Sequence, residues 1–278
     1  EVFPKNTIRL PFKLRSSNFP VGIKYIAGSS AQLKSAAILA ALNSYGTTTV
    51  LEKYKTRDHT ENFLTKNSTS ILFKNKKDII KISGKKTLDP FNIKIPSDPS
   101  SAAFFTAICL LNQNSRLKIK NVCINPKRIG FYNILKKNGA QIKIVNRKNI
   151  NNEYVGDILI KSSKINFLKT NFSHYLTATD EYPIMFVIAA FLKGTSKFTG
   201  IGELANKESN RIIEMKKILV KLGIKCKSTS DSITISGGKT FIKRNNFLEI
   251  NSLNDHRIAM SCLVLAVCSG LKIIINGF

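Results

Sequence analysis

Four short stretches place residues that could do chemistry at the starts of helices. Residues 28–34 (Gly-Ser-Ser-Ala-Gln-Leu-Lys) set hydroxyls, backbone N–H groups and an amide at one such start. A helix N-terminus attracts anions through its unpaired N–H groups and its dipole, while a serine there also serves as an ordinary cap. Residues 179–183 (Thr-Asp-Glu-Tyr-Pro) put an acidic pair before an apolar helix, so Asp180 reads either as a cap or, facing cations, as a general base. Residues 207–211 (Lys-Glu-Ser-Asn-Arg) bring Lys207 and Arg211 to one helix face, with Glu208 beside them. Two converging cations make either a phosphate or carboxylate clamp or a solvated charge cluster. Asp255, His256 and Arg257 repeat the arrangement before the next apolar helix. Each stretch alone is a weak signal; four at equivalent positions are a stronger one.

The positions are equivalent because the chain repeats. A small or acidic cap followed by a dense apolar helix occurs four times, with helices over residues 36–42, 102–111, 183–192 and 258–267. In the second copy the cap is expected at Ser100-Ser101. Each copy leads into a β-rich strand, at residues 47–51, 117–122, 196–199 and 272–275. Three copies continue into a second helix with an arginine near its start, at Arg57, Arg128 and Arg211, which are 71 and 83 residues apart. Two of those helices end in Gly139 and Gly223, which serve a left-handed cap, and a strand hairpin follows each. One unit therefore reads β-α-β-α-β-β. Its first helix is apolar nearly all round, which predicts burial, with helices inside and sheets outside. The polar stretch 83–92 is the expected domain boundary, dividing the chain into 1–88 and 89–278.

Composition excludes several classes. With 43% hydrophobic and 22% charged residues the chain of 278 residues is globular, and its longest apolar run, around 184–192, is too short to span a bilayer. No secretory signal is expected, because no basic segment followed by an apolar stretch and a small-residue cleavage site opens the sequence. Five scattered cysteines with no Cys-x-x-Cys pair argue against a disulfide framework or a zinc site and for a reducing cytoplasm. A net charge of +27 suits an anionic partner, but the basic groups, at 74–77, 85–86 and 216–217 among others, are spread along the chain and lack stacking aromatics. Compositional drift together with small anionic ligands is preferred over nucleic acid.

The stretches 30–36 (Ser-Ala-Gln-Leu-Lys-Ser-Ala), 56–61 (Thr-Arg-Asp-His-Thr-Glu), 98–104 (Asp-Pro-Ser-Ser-Ala-Ala-Phe), 180–183 (Asp-Glu-Tyr-Pro), 207–211 and 255–261 (Asp-His-Arg-Ile-Ala-Met-Ser) stand in one order. Together they resemble the 5-enolpyruvylshikimate-3-phosphate (EPSP) synthase family, closest in wording to its glyphosate-tolerant bacterial class. The resemblance implies a two-domain inverse α/β barrel of repeated β-α-β-α-β-β units. It implies transfer of an enolpyruvyl group from phosphoenolpyruvate to the 5-hydroxyl of shikimate 3-phosphate, with no metal or organic cofactor. The full-length enzyme is expected to be a cytoplasmic monomer acting on small molecules, with neither nucleic acid nor membrane as partner. Residue by residue, it implies that Ser30, Ala31 and Gln32 hold shikimate 3-phosphate, with Arg57 near the same phosphate. Asp180 would accept the 5-hydroxyl proton, and Glu208 would protonate the methylene of phosphoenolpyruvate. Lys207 would contact shikimate 3-phosphate, Arg211 and Arg257 would clamp phosphoenolpyruvate, and His256 would orient the site.

Two departures stand out. Asn210 takes the place of a usual Asp, which is expected to weaken an ion pair orienting Arg211 to a hydrogen bond. The family's N-terminal motifs and a late C-terminal lysine have no counterpart, so the chain is expected to be part of a longer protein, holding part of the site and silent by itself. A UDP-N-acetylglucosamine enolpyruvyl transferase and a basic nucleic-acid-binding repeat protein are the alternatives.

Overall fold

The computed structural model describes residues 2–3, 11–67, 78–90, 92–238 and 247–278; the basic group at 74–77 and residue 91 of the expected boundary lie outside them. The chain divides into two compact units, Glu1–Ile93 and Lys94–Phe278.

In the first unit, strand Lys24–Ala27 runs parallel to Thr47–Glu52, which pairs antiparallel with Ile79–Ser83. Helix α1 (Ala31–Leu42) connects the parallel pair, and helix α2 (His59–Asn67) follows the second strand. A small core of Ala27, Ile38, Ala41, Val50, Leu64, Ile80 and Ile82 lies between them. Burial of α1 all round does not hold here. Only Lys34, Ile38 and Ala41 are buried, and Leu33 and Leu39 are more than half exposed. One sheet can cover only one face of a helix, and α1 meets one sheet.

The second unit contains the same parallel β-α-β step three times. Ser97 bridges in parallel to Val122 in strand Arg116–Cys123, with α3 (Pro99–Leu111) between them. Lys169–Thr170 runs parallel to Gly194–Thr199, with α5 (Phe172–Ala178) and α6 (Tyr182–Phe191) between. Leu248–Asn251 runs parallel to Ile273–Asn276 across α8 (His256–Ser269). The first two copies continue through α4 (Gly130–Lys137) and α7 (Arg211–Lys221) into antiparallel hairpins. Helices α3, α6 and α8 pack against one another, and α6 is buried from Tyr182 to Ala190. Edge-to-face contacts join Tyr182, Phe186 and Phe198 at its start. Sheets outside and apolar helices inside is thus the arrangement within this unit.

Local chemistry sets the helix ends. Gly139 and Gly223 take positive φ after α4 and α7, and Gly270 does so after α8, which spares a Cβ the left-handed penalty. The cap of α3 is Asp98 and not Ser100-Ser101: its carboxylate accepts from Ser100 and Ser101 N–H, and Pro99 fills the first turn. Helix α5 was not anticipated; at seven residues it is too short to show a period, and its signal is the capping box of Asn171 and His174.

Asp157 pins the hairpin strand Glu153–Lys161 where both its neighbours bulge. It accepts from Asn121 N (3.0 Å) and Asn146 Nδ2 (2.9 Å), two residues with positive φ, and pairs with Lys118 Nζ at 3.0 Å. The backbone hydrogen bond from Asn121, then those from Asn146 and Lys118, bring its pKa down to about 2 from 3.8. A depressed carboxyl stabilises the fold above its unfolded value and loses that contribution as pH falls through the folded one. Thermal unfolding measured against pH should therefore show an acid limb between about pH 4 and 2 that Asp157→Asn makes shallower.

Candidate active site

The parallel steps bring the singled-out residues to common edges. Parallel strands end on one side of a sheet, so whatever follows them collects there. In the first unit Ser30, Ala31 and Gln32 follow the first strand, and Arg57 follows the second. Ser30 caps α1, its hydroxyl accepting from Leu33 N at 3.3 Å. Ala31 opens the helix, Gln32 is exposed on its first turn, and Arg57 is half-buried two residues before α2.

Beneath that edge lies a charge. Lys34, in the second turn of α1, is 0% exposed, and its ammonium contacts Glu52 Oε1 at 2.8 Å and Glu61 Oε1 at 2.5 Å. Next to it Ser35 Oγ and Thr60 Oγ1 share a hydrogen bond of 2.7 Å. Two separate motifs of the sequence are therefore partners, residues 34 and 35 meeting 61 and 60.

In the second unit Arg211 is the centre. Its side chain is 1% exposed and lies among three carboxylates. Nε donates to Asp255 Oδ2 at 2.9 Å and Nη2 to Asp255 Oδ1 at 3.2 Å, a fork on one carboxylate. Nη2 also donates to Glu208 Oε2 at 2.6 Å, and Nη1, which has no hydrogen-bond partner among the described residues, lies 3.8 Å from Asp180 Oδ1. Asp255 is itself fully buried, accepts from Ser209 Oγ at 2.8 Å and caps α8 through Arg257 N at 3.0 Å. Burial alone would raise its pKa. The Arg211 hydrogen bonds and charge, with those from Ser209 and Arg257 N, outweigh that and hold it below the ordinary carboxylate value.

The structure thus joins Asp180, Glu208 and Arg211 and adds Asp255. Asp180 is not the side-chain cap of α6: it lies inside a 3-10 turn, Thr179–Glu181, and α6 starts at Tyr182 without a side-chain cap. Lys207 is half-buried where the 3-10 turn Gly202–Asn206 ends. His256 is exposed at the first position of α8, and the half-buried Arg257 lies 6.0 Å from the Phe104 ring centre. The expectation for Asn210 fails. Its amide oxygen caps α7 by accepting from Ile213 N at 3.2 Å, and the group that orients Arg211 is Asp255. The equivalent arginine of the preceding copy is engaged differently: Arg128 Nη2 donates to Asp98 (2.6 Å) and Ser100 Oγ (3.1 Å), while Ser100 donates to the buried Glu181. Asp255, Lys34 and Glu61 stand within the quoted stretches, but the sequence reading gives none of them a role of its own. A lone cation or cap carboxylate beside so apolar a helix was the available signal.

A buried guanidinium framed by carboxylates thus stands at the strand ends of an α/β protein built from repeated β-α-β-α-β-β units. Comparison with known proteins narrows this. The family profile described as EPSP synthase (3-phosphoshikimate 1-carboxyvinyltransferase) matches residues 2–278. The 3-phosphoshikimate 1-carboxyvinyltransferase of Petrotoga mobilis is 40% identical over 250 residues, covering 90% of this chain and 57% of that protein. The enzyme of the same name from Novosphingobium aromaticivorans is 36% identical over 267 residues, covering 94% and 60%. Among solved structures, EPSP synthase from Acinetobacter baumannii superposes with a TM-score of 0.80 at 36% identity, over 92% of this chain and 58% of that one. The enolpyruvyl transferase NikO from Streptomyces tendae, 14% identical with a TM-score of 0.69 over 94% and 59%, shares the fold. The chain belongs to the EPSP synthase family, with the inverse α/β barrel fold of the enolpyruvyl transferases. It spans about 60% of the length of the curated relatives it matches.

Proposed function

We propose that the protein to which this chain belongs transfers the enolpyruvyl group of phosphoenolpyruvate to the 5-hydroxyl of shikimate 3-phosphate and releases phosphate. The observation that carries the reading is the Arg211 cluster, which sets Asp180 and Glu208 on either side of one buried guanidinium. In this reading the 5-hydroxyl oxygen attacks C2 of phosphoenolpyruvate while Asp180 takes its proton and Glu208 gives a proton to C3. Loss of a proton from the resulting methyl group then restores the double bond and expels phosphate with the C–O electron pair. Arg211 and Arg257 hold the carboxylate and phosphate of phosphoenolpyruvate, and Nη1 of Arg211 is a buried donor without a hydrogen bond among the described residues. A substrate anion competing for Nη2 would release Glu208 from its ion pair, as a proton donor requires. Ser30, the Ala31 N–H, Gln32 and Arg57 hold shikimate 3-phosphate, with Lys207 beside the reacting pair and His256 orienting it. Fixed cations offset the mutual repulsion of two anionic substrates.

The reading is of a cytoplasmic monomer acting on small molecules, with neither nucleic acid nor membrane as partner. Five free cysteines fit a reducing compartment, and among the described residues no helix is long and apolar enough to cross a membrane. A phosphate-release assay with both substrates tests the chemistry. Release that needs shikimate 3-phosphate supports it, and release with UDP-N-acetylglucosamine instead would move the assignment to the sibling transferase. Arg257→Lys keeps the charge and loses the fork. The KM for phosphoenolpyruvate should rise about tenfold or more while that for shikimate 3-phosphate changes little; equal losses would point to damage to the fold.

A further inference from the structure

Lys34 occupies the innermost core position of α1 nearest the helix N-terminus, one turn below the Ser30 cap. A lysine there is costly for stability. Two carboxylates and an ammonium have been taken out of water, and Glu61 Oε2 is buried without a hydrogen-bond partner among the described residues. Apolar residues of similar volume usually stabilise such a place as well or better. Nor does the group attract an anion, because with both carboxylates ionised it carries a net negative charge. What it does achieve is geometric. One ammonium ties the second turn of α1 to the end of strand Thr47–Glu52 and to the first turn of α2, and the Ser35–Thr60 hydrogen bond repeats the tie one residue on. The segment held between those two anchors, residues 53–58, contains Arg57.

We propose that Lys34, with Glu52 and Glu61, is a positioning residue. It fixes the rotation and depth of α1 against α2, and so the place of Ser30, the Ala31 N–H and Gln32 relative to Arg57. The proposal rests on the reading of those four as the shikimate 3-phosphate subsite, and goes beyond it by assigning their registration to a buried ionic brace that touches no substrate. A misplacement of about 1 Å in such a constellation costs orders of magnitude in rate or affinity.

The test replaces the brace with apolar packing in the full-length protein, as Lys34→Met/Glu52→Leu/Glu61→Met, and measures thermal unfolding, calorimetric binding of shikimate 3-phosphate, and KM for each substrate. The expected result is a melting temperature unchanged or raised, with shikimate 3-phosphate bound at least about tenfold more weakly. A second variant, Ser35→Ala/Thr60→Val, cuts only the uncharged tie and should weaken the same binding about threefold, whether or not the first variant folds. A folded apolar variant that binds shikimate 3-phosphate like wild type overturns the proposal alone, and if that variant does not fold, an unchanged affinity in the second variant does so. A wild-type protein that does not bind shikimate 3-phosphate overturns the functional reading, and the brace with it.

Discussion

Asp180→Asn is expected to lower turnover by about 10²–10⁴-fold while shikimate 3-phosphate still binds with near-normal affinity. The substitution keeps volume and removes the carboxylate's charge together with its capacity to take a proton. A cap role would make it a stability mutation, but Asp180 is not the side-chain cap of α6. It stands in the 3-10 turn before α6, 21% exposed, with one oxygen 3.8 Å from the buried Arg211 guanidinium. That distance is an ion pair without a formed hydrogen bond between the two groups. Loss of kcat with an unchanged melting temperature and an unchanged KM for shikimate 3-phosphate is the expected pattern. Turnover within a few-fold of wild type would remove Asp180 from the chemistry.

The order of elements was legible because cap chemistry and apolar runs are local. The four apolar helices, the strands after them and the glycine ends at Gly139 and Gly223 all follow from neighbours within a few residues. Equivalent positions in the repeat then pointed to Asp180, Arg211 and Arg257. Partnership was not legible. Arg211 takes its fork from Asp255, 44 residues away in the next copy, whereas Asn210, its neighbour in sequence, turned to capping α7. Arg128, alike in sequence position, is engaged by Asp98 and Ser100 within its own copy. Which acid an arginine reaches depends on how helix ends abut, and no periodicity encodes that. The same limit hid the partners of Lys34, whose place in a helix-start stretch does not show that Glu52 and Glu61 lie beside it. Apolar composition also overstated the burial of α1, because it shows that a face can be covered and not what covers it.

Asp255→Ala should be the most destabilising single change in the second unit. It leaves Arg211, 1% exposed, without its two-nitrogen partner, so a guanidinium stays out of water with only Glu208, itself half in solvent, to hydrogen-bond. Breaking a buried pair from one side costs about 3–5 kcal/mol. Loss of the α8 cap at Arg257 N adds about 1 kcal/mol. For a unit of this size the melting temperature should fall by about 10 °C or more. Asp255→Asn, which keeps an oxygen for the Arg257 N–H, should lie between. The pH dependence separates this from simple cavity formation. The carboxyl of Asp255 titrates below its ordinary 3.8 in the folded protein, so its contribution is intact at neutral pH and is lost as pH falls through that lowered value. The difference in stability between wild type and Asp255→Ala should therefore be constant above about pH 5 and shrink below about pH 4. A difference that persists unchanged into acid would show that the aspartate matters there for its volume and not for its charge.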